Sequence, residues 1–123
     1  MREGYNILIA DRNPHVRELL RREMRLEGYQ VQLAKTGREI INFTLRQHPF
    51  DLLILDPDLP DTDESSLLKK LGERIPPLSV VVHSFLSENN EQQDILTTAT
   101  FVEKRGSSID HLKKIVAEIL EKV

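Results

Sequence analysis

The sequence lacks cysteine, and several function classes are excluded by this and other absences. Without cysteine there is neither a disulfide framework nor a thiolate metal site, which fits the reducing cytoplasm. No apolar run approaches the ~18 residues that span a bilayer, and the first residues, MREGYN, carry no signal-peptide pattern. A net charge of -3 gives no basic surface for neutralising phosphates, so we expect no direct nucleic-acid binding. These absences favour a cytoplasmic protein that acts away from membranes and nucleic acids.

The length of the chain fits one folded unit. With 123 residues, 39% of them hydrophobic, the chain can bury one core and has no room for a second domain. No repeat, low-complexity tract or linker divides it. We therefore expect residues 1–123 to form a single domain.

Strand and helix patterns alternate along this unit. Short apolar runs predict strands at residues 5–10, 29–34, 51–56, 79–83 and 100–103. Helical patterns follow each strand, with two of them at residues 65–73 and 88–97. The third strand, DLLILD, is apolar on both faces, as is typical of the middle of a covered sheet. The alternation predicts an α/β fold, namely a doubly wound, flavodoxin-like, five-stranded parallel sheet with helices on both faces.

Local signals predict where the helices begin and end. Asn13 followed by Pro14 is typical of a capped helix start, and Gly28 provides a left-handed stop. Thr36 and Glu39 have the spacing of a capping box. The last helix carries an apolar stripe up to Val123 and is predicted to be capped by one of the serines at positions 107 and 108.

Polar residues stand where the predicted strands end. Because the carboxyl ends of parallel strands meet at one edge of the sheet, these residues should converge. They are Asp11, Arg12, Asp56, Asp58, His83, Ser84 and Lys104. Carboxylates there can bind a hard divalent cation, and a carboxylate can also attack a phosphoryl group. A lysine and a hydroxyl can hold the phosphoryl oxygens by charge and hydrogen bonding.

Three segments carry a family resemblance. ILIADRNPHVRELL, FDLLILDPDLPDTDE and FVEK resemble, in order, the first strand and helix, the phosphoacceptor segment and the fifth strand of response-regulator receiver domains, including the chemotaxis regulators of two-component signalling. The resemblance implies that Asp56 is the phosphoacceptor and that Lys104 pairs with the phosphoryl group. It also implies that Ser84 is the switch hydroxyl and Phe101 the aromatic residue that changes rotamer with it. The register there is open by one residue, so His83 is the alternative to Ser84.

The resemblance further implies a magnesium site, from which the sequence departs. Asp11 and Asp56 match acidic metal ligands, and Asp58 matches the position that offers its backbone carbonyl. Arg12, however, stands where a second acid normally binds the metal, so we expect weaker magnesium binding. We hypothesise that its guanidinium partly replaces the metal by pairing with Asp56 or Asp11. Further departures from the family pattern are at Glu64, Phe85 and Arg105.

These features predict a phosphoryl-accepting regulatory domain rather than an enzyme. The resemblance implies a histidine kinase or phosphotransfer protein as donor and a downstream effector domain or protein as target, and it allows a homodimer. The alternative, favoured by Arg12, is a pseudo-receiver that acts as a protein-interaction module without phosphorylation. A flavin or nucleotide carrier on the same sheet is not supported, because DRNPH replaces a glycine-rich phosphate loop after the first strand.

Overall fold

The computed structural model describes residues 4–45, 50–61, 78–84, 99–104 and 108–121. The elements in chain order are β1 (Asn6–Ala10), α1 (Pro14–Leu26), β2 (Gln30–Ala34), α2 (Gly37–Leu45), β3 (Leu52–Leu55), β4 (Ser79–Ser84), β5 (Ala99–Glu103) and α3 (Ser108–Leu120). The helices predicted at residues 65–73 and 88–97 lie outside the described residues. So do the family departures at Glu64, Phe85 and Arg105.

The five strands form one parallel sheet in the order β2-β1-β3-β4-β5. This confirms the predicted doubly wound, flavodoxin-like sheet. The chain moves outward from β1 to β2 and then returns to the other side of β1 to form β3, so the strand order reverses between β1 and β3. In such a sheet, ligands bind outside the carboxyl ends of the strands at this reversal. The strand ends of β1 and β3 are therefore the place to look for a site.

Helices cover both faces of the sheet, and the core consists of two clusters. On one face, Ile40 from α2 packs with β1, β3 and β4 residues such as Leu8, Leu53 and Val80. On the other face, α1 and α3 supply the buried side chains Leu20, Met24, Leu112, Val116 and Leu120. All four residues of β3 are buried, as its apolar sequence predicts. The central strands are thus fixed from both sides, which holds their carboxyl ends in place.

The signals predicted for α1 and α2 are present, whereas Ser107, one of the two caps predicted for the last helix, lies outside the described residues. The side chain of Asn13 accepts hydrogen bonds from the first turn of α1, and Gly28 has a φ of 98° after the helix ends. At α2, Thr36 Oγ1 accepts the N–H of Glu39 at 3.1 Å. The carboxylate of Glu39 accepts the N–H of Lys35 at 2.7 Å, one residue before the position that a capping box uses. Ser108 is the first residue of α3.

Candidate functional site

A lysine and two buried carboxylates meet where β1, β3 and β5 end. Ala10 and Leu55 are opposite each other in the sheet, so Asp11 and Asp56 leave their strands at the same level. Both aspartates are buried, with 1% of their surface exposed to solvent. Lys104 Nζ lies 3.0 Å from Asp11 Oδ2 and 3.9 Å from Asp56 Oδ1. The sheet therefore brings three predicted site residues together from three strands.

Arg12 contacts the same site from its solvent side. Its backbone N–H donates to Asp56 Oδ2 at 3.1 Å, and its Nε lies 3.6 Å from that oxygen. Its Nη2 lies 3.6 Å from Oδ2 of Asp58, whose side chain is exposed. The predicted ion pair between Arg12 and a pocket aspartate is confirmed, and the partner inside the pocket is Asp56. The other oxygen of Asp56 accepts the N–H of Asp58 at 3.0 Å.

The charges of the pocket act on Asp11 in opposite directions. Burial raises the pKa of the Asp11 carboxyl, and the negative charge of Asp56 adds to this effect. The N–H of Asn13, 2.9 Å from Asp11 Oδ1, and the ammonium of Lys104 lower it. The net effect is a raised pKa. A further positive charge beside Asp11 is therefore electrostatically favourable.

The oxygens of this pocket fit a magnesium ion. Mg²⁺ is usually held by one or two carboxylates, with waters and phosphate oxygens completing the octahedron. Asp11 and Asp56 supply two buried carboxylates at one edge of the sheet. Within the described ranges, no group of three or more His, Cys, Asp or Glu side chains could hold a metal.

At the end of β4, successive side chains point to opposite faces of the sheet. Ser84 is buried and follows Val82 on the face covered by α2. Phe101, opposite Val82 in β5, packs against the same core cluster. His83 points to the other face, where its Nε2 lies 3.3 Å from the hydroxyl of Ser108 at the start of α3. Ser84 therefore shares a face with Phe101, whereas His83 does not.

His83 is a buried and uncharged strand-end histidine. Burial lowers its pKa to about 4; the positive charge of Lys104 acts in the same direction, and the negative charge of Asp56 opposes it. Its Nδ1 has no hydrogen-bond partner in the part of the chain that the structure describes. The predicted strand-end position is correct, but among the described residues only one of its two ring nitrogens has a hydrogen-bond partner.

Two contacts near the pocket were not predicted from the sequence. Arg17 donates from Nη1 to the backbone carbonyl of Asp11 at 2.7 Å. The carboxylate of Asp61 accepts the N–H groups of the first two residues of α2 at 2.7 and 3.1 Å. The position of Arg17 in the first turn of α1 was the available signal, because a long side chain there can reach back to the strand end. Nothing local indicates the contact of Asp61 with a helix 24 residues away.

A doubly wound sheet with paired carboxylates, a lysine and a hydroxyl near its carboxyl edge defines an α/β domain suited to metal and phosphoryl chemistry. The comparison with protein families agrees with this class and narrows it. The family model described as response regulator receiver domain matches residues 7–117, so the chain belongs to that family. The family is regulatory and acts in two-component signalling.

Individual relatives agree with this family. The chain is 36% identical to the sensor protein EvgS of Escherichia coli (strain K12) over 91 residues, which are 74% of the chain and 8% of EvgS. It is 32% identical to the response regulator GtcR of Aneurinibacillus migulanus over 117 residues, covering 92% of the chain and 47% of GtcR. The chain thus spans less than half the length of either relative.

Solved structures share the fold. The response regulator TrrA of Thermotoga maritima, in complex with Mg²⁺-BeF, has a TM-score of 0.85 at 25% identity, covering 94% of the chain and 99% of TrrA. The chemotaxis response regulator CheY4 of Vibrio cholerae has a TM-score of 0.83 at 18% identity, covering 94% of the chain and 98% of CheY4.

No helix in the described ranges is long and apolar enough to cross a membrane.

Proposed function

We propose that residues 1–123 form one receiver domain in which Asp56 accepts a phosphoryl group from a phosphohistidine. The observation that carries the proposal is the contact of Lys104 with both buried carboxylates, Asp11 and Asp56. An ammonium in this position can hold the oxygens of a phosphoryl group bound to Asp56. The curated relatives support this function, since GtcR is a response regulator.

The proposed chemistry uses Asp56 as the nucleophile. One of its carboxylate oxygens forms a bond to phosphorus, while the bond between phosphorus and the donor's imidazole nitrogen breaks and the nitrogen keeps the electron pair. Lys104 and Ser84 hold the phosphoryl oxygens, and Phe101 changes its packing together with Ser84. The domain itself is phosphorylated at the end of the reaction, so it is a regulatory acceptor and not an enzyme.

We also propose that Asp11, Asp56 and the backbone carbonyl of Asp58 bind magnesium. The two buried carboxylates at the strand ends and the complex of TrrA with Mg²⁺-BeF support this assignment. Bound magnesium supplies positive charge that neutralises phosphoryl oxygens. Arg12 supplies positive charge in the same pocket through its ion pair with Asp56, so we expect weaker magnesium binding than with an acid at this position.

The partners and the location follow from this function. The donor is a histidine kinase or a phosphotransfer protein, and the target is a downstream effector domain or protein. The proposed function is also compatible with a homodimer. We infer a cytoplasmic location, which agrees with the absence of cysteine from the sequence.

Intact-mass spectrometry after treatment with acetyl phosphate and magnesium tests the proposal. We expect the unmodified chain to gain one labile phosphoryl group and Asp56→Asn to gain none. Asp110→Asn is the matched control, because it neutralises an exposed aspartate on α3 that is not part of the proposed site and should still be labelled. An adduct that persists in Asp56→Asn would refute the assignment. A chain that no donor labels is instead the pseudo-receiver.

A further inference from the structure

We infer that Asp61 is a positioning residue for Asp56. Its carboxylate fastens residues 57–61, the loop that follows Asp56, to the first turn of α2. The loop in turn donates a backbone N–H to Asp56. This inference rests on the proposed function of Asp56 and concerns how the loop beside it is held.

The first observation is the contact between Asp61 and α2. Asp61 Oδ1 accepts the N–H of Gly37 at 2.7 Å, and Oδ2 accepts the N–H of Arg38 at 3.1 Å. The first N–H groups of a helix have no partner within it. Thr36 accepts the third of these, from Glu39, at 3.1 Å. The local cap and the distant carboxylate therefore divide the first-turn donors between them.

The chemistry of this contact favours the charged form of the Asp61 carboxyl. The pKa of its carboxyl is lowered, chiefly by the hydrogen bond from Gly37 and further by the bond from Arg38. A carboxylate at a helix N-terminus also interacts favourably with the helix dipole. Asparagine has the same shape but only one acceptor oxygen, so it can retain only one of the two bonds.

The second observation is how the rest of the loop is held. At its start, the Asp58 N–H donates to Asp56 Oδ1 at 3.0 Å. In its middle, Leu59 is 4% exposed and belongs to the core cluster that α2 also covers. Asp61 fixes its end. The N–H that contacts Asp56 is therefore only three residues from the anchor, with one buried side chain between them.

Release of this anchor should alter the geometry at Asp56. In catalysis, a displacement of about 1 Å can cost about 100-fold in rate. With Leu59 still in the core, we expect a smaller effect, a fall of about tenfold in the rate at which acetyl phosphate labels Asp61→Ala. Asp61→Asn should lie between Asp61→Ala and the unmodified chain.

A matched control separates positioning from simple loss of helix stability. Thr36→Ala removes the other cap of the same helix end, a hydrogen bond that Thr36 accepts from Glu39 and not from residues 57–61. We expect Thr36→Ala to lower the melting temperature as Asp61→Ala does, but to change the labelling rate by less than about twofold. Equal changes of rate in Thr36→Ala and Asp61→Ala would overturn the inference.

Amide hydrogen exchange in the unphosphorylated protein provides a second readout. We expect the Asp58 N–H to exchange about tenfold faster in Asp61→Ala and at an unchanged rate in Thr36→Ala. Unchanged exchange of Asp58 in Asp61→Ala would also overturn the inference. If the unmodified chain is not labelled at all, the proposed function fails, whereas the exchange comparison still decides whether Asp61 fixes the loop.

Discussion

Removal of the Arg12 side chain measures how much stability this cation provides in the absence of metal. Arg12 lies 3.6 Å from Asp56. At an effective dielectric of about 20, that distance gives a gross attraction of about 4–5 kcal/mol. Half of the Arg12 side chain is exposed, so solvent screening and side-chain ordering reduce the net contribution to about 1 kcal/mol. For a domain of this size, that corresponds to a fall of roughly 4 °C in melting temperature for Arg12→Ala.

The assay is thermal unfolding in a chelating buffer, repeated with added magnesium. Because a ligand that binds only the folded state stabilises it, magnesium should restore part of the loss in Arg12→Ala. Arg12→Asp should bind magnesium more tightly than the unmodified chain, since it adds an oxygen ligand and removes a positive charge. Arg22→Ala is the matched control, because it makes the same change of net charge in an exposed pair with Glu23.

Two results would refute the reasoning. One is a melting curve for Arg12→Ala that matches the unmodified chain in chelating buffer. The other is equal magnesium affinity in the unmodified chain and Arg12→Asp. A magnesium response of the same size in Arg22→Ala and Arg12→Ala would show that the effect is a general one of net charge.

Two further predictions concern buried charges and pH. Lys104→Met should lower the free energy of unfolding by about 3 kcal/mol in urea titrations, because the buried Asp11 loses its ammonium partner and Asp56 keeps only Arg12 among the cations of the described residues. The loss should shrink at pH 5, because the raised pKa of Asp11 lets this carboxyl take up a proton more readily there, and an equal loss at pH 5 and pH 8 would contradict this. The pKa of His83 is about 4 when folded and about 6.5 when unfolded. Its contribution to stability is therefore present above pH 6.5 and falls as pH drops towards 4, by at most about 3 kcal/mol. His83→Gln should remove this dependence of stability on pH, and His111→Gln, which changes an exposed histidine, should retain it. Identical pH profiles of stability in the two variants would exclude His83 as the cause.

Much of the fold could be predicted because its signals are local. The buried run that ends at Asp56, the cap at Asn13 and the stop at Gly28 each specify an element from a few neighbouring residues. The convergence of Asp11, Asp56 and Lys104 then follows from the rule that parallel strands end at one edge. No side-chain distance was needed for that step.

The remaining contacts could not be predicted because they depend on side-chain direction or on distant partners. Arg17 has the spacing of a surface residue, yet its side chain turns back to a strand-end carbonyl. Whether His83 or Ser84 shared a face with Phe101 depended on a register of one residue, and such a shift exchanges the two faces of a strand. The contact of Asp61 with α2 required the position of a helix that precedes it by 24 residues.

The position of β5 in the sheet has a mechanical consequence. In the described part of the chain, β5 is the last strand and pairs with β4 alone. Displacing it therefore strains one ladder of hydrogen bonds, whereas displacing β1, β3 or β4 strains two. Lys104 and Phe101 are both carried by this strand or its end. Lys104, which contacts Asp56, and Phe101, which packs against the core, thus belong to a strand that one ladder of hydrogen bonds holds. A shift of Lys104 therefore meets less resistance from the sheet than a shift of Asp11 or Asp56 would.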